Sequence, residues 1–404
     1  FEKRGRVNVG VGYAISINQI KMFLGHLRAG RMVDHATLGA RVTTGGDRRV
    51  VVDDILENSD AFRRGLRYGD EIVRLAGRGI HSANAVKNLL GIFPKGWRIP
   101  VVYRRDGQEA EIWVRLRGLH SEAELAAMIS GERQQRGRRS DRPPGKPQPN
   151  PRQPAPDRPG EKPQREPAPG GEPPETPERP HPLIPGLPAP AIPLPEIVRQ
   201  HYQQRPGYVN YRFNEVQRER VWRAFLTHGD FAGTDVWHLR GELAAGGDVS
   251  IELGQQSVRY RTAGGELKLD WQGDLSERLE PARSGGLLVA LAAWRRLVQL
   301  GPRQFGETTY LGTLPLAEQT GLFDVLTTID AGVEIRFFFR EQDGELAGLE
   351  MYPDDEADPC ELYFRDYRGV DGRQMPHIID IRYGDAVYQI INLRDIRLAE
   401  PREA

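Results

Sequence analysis

The chain has 404 residues, with 56 basic and 56 acidic side chains, nine histidines and a single cysteine. That length accommodates two or three domains, and the balanced charge gives no global field toward nucleic acid or an anionic membrane. Cys360 alone forms neither an internal disulfide nor a cysteine-rich metal site, no run of about 18 apolar residues marks a transmembrane helix, and no signal-peptide pattern is present. No cofactor and no metal are expected. The first residue is Phe1 rather than methionine, so the natural N-terminus, with any export signal, is expected to lie upstream.

In chain order, Val7 to Asn18 reads as a strand and Gln19 to Ala29 as a helix. From Asn58 to Ile80 a polar cap opens a short helix that Gly65 ends. The turn Tyr68-Gly69-Asp70 then feeds a strand carrying Ile72, Val73 and Leu75, closed by Gly77-Arg78-Gly79. Ser82 caps a second helix to Phe93, in which Val86, Leu89, Leu90 and Phe93 recur at helical spacing. After Pro94-Lys95-Gly96 come strands Trp97 to Arg104 and Glu109 to Leu116, joined at the hairpin signal Asp106-Gly107.

The order from Thr37 to Leu116 resembles the PDZ domains of the HtrA/Deg family of serine proteases, over about a fifth of the chain. The preceding Val9-Gly10-Val11-Gly12-Tyr13-Ala14-Ile15-Ser16-Ile17-Asn18 resembles the strand that follows the catalytic serine in the trypsin-like domain of that family. The resemblance implies that Tyr13, Ala14 and Ile15 form a wall of the primary specificity pocket; the other reading makes this strand and helix part of the PDZ domain. It also implies that Thr37, Leu38, Gly39 and Ala40 form the loop that holds a peptide's terminal carboxylate, with Arg41 and Val42 on the strand beside which the peptide adds. Successive N–H groups make an anion nest, Gly39 permits close backbone approach, and an unpaired strand edge supplies main-chain bonds. Thr37 stands where the family usually has an aromatic, and an ordinary strand-initiating turn is the alternative. On the following helix, Ala85 and Leu89 are the candidate groove residues, and core packing is the other use of that apolar stripe. His26, His35, His81 and His120 are scattered and no Gly-rich serine turn accompanies them, so no catalytic residue is assigned and the chain is expected not to hydrolyse peptides.

From about Ser121 to Pro195 the chain holds most of its 31 prolines and few aliphatic residues, the composition of a disordered, semi-rigid spacer. Its Pro-x-x-Pro spacings are those of SH3 ligands but also follow from repeated proline, and Arg133 to Arg139 are followed closely by acidic residues. Folding resumes near Ile197. A short helix and the segment Tyr208 to Phe225 lead into strands at 236–243, 248–253, 257–262 and 266–271, then a helix Leu287 to Leu300 stopped by Gly301-Pro302. Six further strands are expected at 322–330, 333–340, 346–352, 361–368, 375–383 and 386–397. The late stretch Tyr363 to His377 with its Gly384-Asp385 turn resembles the lipoprotein-carrier half-barrels of the LolA/LolB sort. That implies a sheet curved round a helix, its hollow open to acyl chains or partner peptides or else filled by its own core. Asp354, Asp355, Glu356 and Asp358 read as a solvated turn rather than a calcium loop.

The fold class expected is therefore multi-domain and mainly β with some α. It comprises a protease remnant (1–33), a PDZ-like α+β sandwich (34–120), a disordered Pro-rich linker (121–195) and a curved antiparallel half-barrel with a packed helix (196–404). The function expected is peptide capture by the PDZ region of an HtrA-like, periplasmic or envelope endopeptidase, the linker holding the last domain at variable distance. The alternative is a non-catalytic carrier or scaffold whose half-barrel binds a lipid or lipoprotein. Unfolded or C-terminal peptide segments are the expected partners, without nucleic acid or a membrane span. A homo-oligomer assembled through the protease barrel also follows from the resemblance.

Overall fold

The computed structural model describes residues 15–121, 124–125, 196–317 and 319–399. Tyr13, Ala14 and the strand before them, and the Pro-rich stretch through Pro195, lie outside the described residues. The fold is mainly β with few helices. Phe1–Glu122 and His201–Ala404 belong to one compact unit, and Ala123–Gln200 form another that holds a short helix, Glu196–Gln200.

Helix α1 (Ile17–Arg28) starts at Ser16, whose side chain accepts the Gln19 N–H. After it a small sheet runs in the order β2 (Ala40–Thr44), β3 (Val50–Ile55), β4 (Glu71–Leu75), β6 (Arg98–Arg105) and β7 (Gln108–Arg115), with β5 (Arg78–Gly79) paired to β4. A separate pair joins β1 (Ala36–Thr37) to β8 (Arg117–Gly118). Helices α2 (Asp60–Arg63) and α3 (Ala83–Leu90) both begin at serine caps, Ser59 and Ser82, as their sequences demand.

The second sheet has eleven antiparallel strands. Four come before its central helix: β9 (Trp237–Leu243), β10 (Asp248–Leu253), β11 (Ser257–Thr262) and β12 (Gly265–Asp270). Seven come after it: β13 (Thr309–Leu314), β14 (Phe323–Asp330), β15 (Val333–Arg340), β16 (Leu346–Tyr352), β17 (Cys360–Val370), β18 (Arg373–Tyr383) and β19 (Ala386–Leu398). The order β12-β11-β10-β9-β19-β18-β17-β16-β15-β14-β13 closes the two runs into one sheet through the β9–β19 pair. Helix Leu287–Leu300 is apolar nearly all round, and a helix apolar all round is buried. It fills the inner face, packed among Trp237, Ile251, Tyr260, Met351 and Phe364.

The outer face is covered along β13 to β17 as well. In β15, Phe337 and Phe339 join the helix-side core while Phe338 joins the core of the small sheet, as alternation along a strand requires. Leu314, Phe323, Val325, Ala347 and Tyr363 pack there too, against Trp97, Ile99 and Val114 of the small domain. A sheet buried on both faces reads as continuous apolar runs, which is the pattern of Phe337-Phe338-Phe339, and every residue of β16 is buried, Glu350 included. The expectation of a last domain held at variable distance by its linker is corrected accordingly, because the two folded stretches share a core.

Charge locks this junction. Glu350 and Glu361 stand directly opposite on β16 and β17, both almost wholly buried. Arg115 from β7 reaches Glu350 at 2.8 Å and Glu361 at 3.5 Å, and Arg98 from β6 reaches Glu361 at 3.2 Å. Tyr352 and Tyr363 donate their hydroxyls to Glu350 and Glu361 at 2.6 and 2.5 Å. Burial alone would push the Glu350 carboxyl up, but the Arg115 and Arg336 guanidiniums and the Tyr352 hydroxyl hold it below the usual range.

The far edge, β13, is covered by α1 and by helix Tyr211–Phe225. The Asn214 amide exchanges two bonds with the Tyr310 backbone, at 2.7 and 2.9 Å, taking the place of a neighbouring strand. Beside it Gly312, at φ +134°, leaves room for His26, whose ring nitrogen lies where a Cβ would stand. Burial first, then the charges of Arg31, Lys95 and Arg336, lower the His26 pKa to about 3.

Three outcomes follow. In a chain nicked once within the Pro-rich stretch, the two pieces are expected to stay together in size-exclusion chromatography. Arg115→Ala is expected to loosen that association, costing about 3–5 kcal/mol in denaturant melts by taking from Glu350 its guanidinium at 2.8 Å while it faces Glu361. For His26, the folded pKa lies below the ordinary value of 6.5. The stabilisation by the neutral ring is therefore complete above that pH and is lost as pH falls toward the folded value, at about 1.4 kcal/mol per unit. His26→Leu should remove roughly one proton from the pH dependence of stability between about pH 6 and 4.5.

Candidate peptide-binding site

Among the described residues the small sheet ends at β2, which pairs with β3 alone and leaves its other edge open. At its head sit Thr37, Leu38, Gly39 and Ala40. Gly39 adopts φ +74°, which L side chains rarely adopt, and a Cβ there would lie 2.5 Å from Ser59 Cβ. Its carbonyl accepts the Leu56 N–H at 2.9 Å, and its N–H donates to Thr37 Oγ1 at 3.3 Å. Leu38 is buried, whereas Ala40 and Val42 are half-buried against the small-sheet core. Arg41 points outward and pairs with Asp53 of β3 at 3.1 Å.

Helix α3 is tied to the far end of β2 by the bond from Ala83 N–H to Thr44 Oγ1, 2.8 Å. Its apolar stripe divides: Val86, Leu89 and Leu90 are buried in the core, and Ala85 is half-buried beside them. At the opposite end, Ala36 N–H bonds Phe93 O, so the Thr37–Ala40 loop starts where α3 has just finished. The loop, β2 and α3 are thus brought together. Of the residues assigned to the pocket wall, only Ile15 is described; it is 69% exposed.

The histidines have separate settings. His35 meets Phe23 edge-on at 5.6 Å, His120 Nδ1 lies 3.0 Å from the Asp34 carboxylate, and His81 is exposed. Burial first, then Glu361, pushes the Cys360 thiol well above its usual range, so it is a core side chain. Among the described residues no group of three or more His, Cys, Asp or Glu side chains is placed to hold a metal ion, and no helix is long and apolar enough to cross a membrane.

In the acidic loop Asp354, Asp355 and Glu356 are exposed, as a solvated turn requires, but two of its carboxylates also have partners. Asp354 Oδ1 accepts the N–H groups of Glu356 and Ala357, while Glu356 and Asp358 face the small domain. Glu356 accepts from Asn58 Nδ2 at 2.6 Å, and Asp358 takes Arg64 at 2.8 Å and Arg63 at 3.2 Å. Sequence reasoning missed these partners because they lie almost three hundred residues apart.

No family model matches the chain. Over 116 residues it is 28% identical to the periplasmic serine endoprotease DegP of Escherichia coli K12, a match covering 26% of this chain and 24% of that protein. To DegP of Salmonella typhimurium it is 26% identical over 136 residues, covering 31% and 29%. The chain therefore spans about a quarter of the length of the curated relatives it matches. Among solved structures, the HtrA-type protease AlgW with a decapeptide aligns over 22% of this chain and 30% of that one, at 19% identity and TM-score 0.21. A LolA superfamily protein from Nitrosomonas europaea aligns over 46% of this chain and 94% of that one, at 10% identity and TM-score 0.31. The expected resemblance to HtrA/Deg proteases is thus met in sequence over about a quarter of the chain, and LolA-type structures align with nearly half of it.

Gly39→Ala is expected to lower stability by about 1–2 kcal/mol from the left-handed backbone alone, with a further cost at Ser59. Thermal melts of the full chain check this. A stability equal to that of the parent protein would show that the loop does not hold φ +74° in solution.

Proposed function

We propose that this chain captures extended or C-terminal peptide segments along β2, as the substrate-binding part of an HtrA-like serine endopeptidase of the cell envelope. The observation that carries this reading is an open strand edge headed by a left-handed glycine loop and flanked by α3. In such an arrangement the peptide adds as a further strand, main-chain bonds supply affinity, and its carboxylate lies against the N–H groups of Leu38, Gly39 and Ala40. Val42 and Ala85 then offer apolar contact to the terminal side chain, while Leu89 backs them from the core. No step of peptide hydrolysis is assigned to this chain. The periplasmic location in the names of the relatives supports the envelope part of the proposal.

A second reading, a lipid or lipoprotein carrier, has one observation in its favour. A cleft of about 250 Å³ lies at the rim of the large sheet, lined by Leu243, Tyr260, Leu267, Pro281, Tyr388 and Gln389. Burial, then Tyr388, pushes the Tyr260 phenol up to about 12, and its hydroxyl donates to Gln389 at 2.8 Å. Partition of a fluorescent fatty acid onto the chain, abolished by Leu267→Asp, would favour this second reading.

Titration of the full chain with a random decapeptide pool, with free or amidated C-termini, tests the first. Preference for free carboxylates is expected, and Thr37→Ala should tighten it about two- to tenfold by releasing the Gly39 N–H from its own side chain. Equal binding of both forms would remove the assigned loop.

A further inference from the structure

The peptide loop does not rest on the small sheet alone. Gly39 lies against Ser59, which is fully buried, and bonds to Leu56. Ser59 closes on Leu56 through its own N–H and caps α2 by accepting the Phe62 N–H at 3.2 Å. The segment 56–64 is therefore the backing of the Gly39 turn. That backing is held from the large sheet at four points: Glu356 on Asn58, Asp358 on both Arg63 and Arg64, and Asp385 on Arg64 at 2.6 Å. Within the small domain it is braced again, by Arg63 on the Asn58 carbonyl at 3.0 Å and Arg117 on the Asn58 side chain at 2.7 Å. The Asp60 carboxylate also accepts the Arg115 N–H at 2.6 Å, and Arg115 is the residue whose side chain enters the Glu350–Glu361 pair.

We propose that Glu356 and Asp358 are positioning residues for the peptide's carboxylate, acting through Asn58, Arg63 and Arg64 on the backing of Gly39. Peptide affinity and the seating of loop 354–358 on the small domain are then linked. This inference rests on the capture reading given above. A held backing keeps Gly39 in its left-handed conformation before the peptide arrives, and a pre-organised site loses less on binding. By linkage, whatever factor the loop contributes to peptide affinity, the peptide must return to the attachment of the loop.

The test uses the full chain and the same decapeptide pools. Glu356→Gln with Asp358→Asn is expected to weaken binding of the free-carboxylate pool about fivefold, with the amidated pool unaffected. Asp358→Glu, which keeps the charge, should restore most of the loss. In the unsubstituted chain, the tightest free-carboxylate peptide should slow hydrogen exchange at the amides of residues 354–358, which a merely structural role would not do. If the unsubstituted chain prefers free carboxylates, yet the double variant binds equally well and loop exchange does not change, the positioning role is overturned and capture stands. If the unsubstituted chain shows no such preference, capture fails and the inference with it.

Discussion

Two carboxylates facing each other across neighbouring strands, both out of water, are a demand that the large sheet does not meet with its own strands alone. Glu350 and Glu361 stand in that relation, and like charges directly opposite repel. Two of the guanidiniums that answer them, Arg98 and Arg115, come from the other sheet. Guanidinium suits the task because its planar fork serves two oxygens at once and stays charged when buried. Such a network adds little net stability beyond what apolar residues of the same volume would give, but breaking it by halves is costly, so it sets register. Apolar burial on the outer face holds the domains together, and the charges decide in which orientation.

That orientation divides the small sheet into two ends with different work. Its order places β6 and β7, which carry the arginines, at the end bound to the large sheet, and leaves β2 at the other end with its edge open. An open edge is an aggregation liability unless it is short, charged or used. β2 is only five residues long, with Arg41 exposed, and its loop is braced from behind. The same docking that buries Val114 and engages Arg115 of β7 brings the acidic loop 354–358 against the backing of Gly39, so the two ends are joined through segment 56–64.

Much of this was legible in the sequence, and what was not has physical reasons. Serine caps gave α2 and α3 their starts and Gly301 gave the helix Leu287–Leu300 its end, because those signals act within one turn, whereas α3 stops at Leu90, short of the expected Phe93. Strand β13 escaped: Gly312 breaks its alternation at a register shift, and its edge is completed by the Asn214 side chain rather than by a strand. The helix Tyr211–Phe225 was read only as a segment, since its arginines and glutamates dilute the apolar period. The candidate loop at Thr37 to Ala40 was picked out from Gly39 and its neighbours, but its backing was not. Taken alone, Glu356 and Asp358 look like solvent-exposed acids, and only the fold brings Asn58, Arg63 and Arg64 against them. The run Phe337-Phe338-Phe339 signalled burial on both faces without naming the partner, because periodicity reports that a face is covered and never by what.

The large sheet is covered on both faces along β13 to β16, whereas β9 to β12 and β19 alternate buried residues with exposed or half-buried ones. A helix that begins Leu-Leu-Val-Ala-Leu-Ala-Ala-Trp carries apolar side chains on every side, and only a hollow lined by a curved sheet satisfies such a helix. With that helix inside and the small domain outside, room for a guest remains at the rim, where the cleft of about 250 Å³ is smaller than the roughly 300–1,000 Å³ of ordinary small-molecule sites. A platform that fixes the attitude of a peptide-binding edge needs two covered faces and a rigid register; a carrier needs an empty interior. The filled inner face and the buried Glu350–Glu361 junction give this chain the first set of properties, and that weighs the balance of the two readings toward peptide capture.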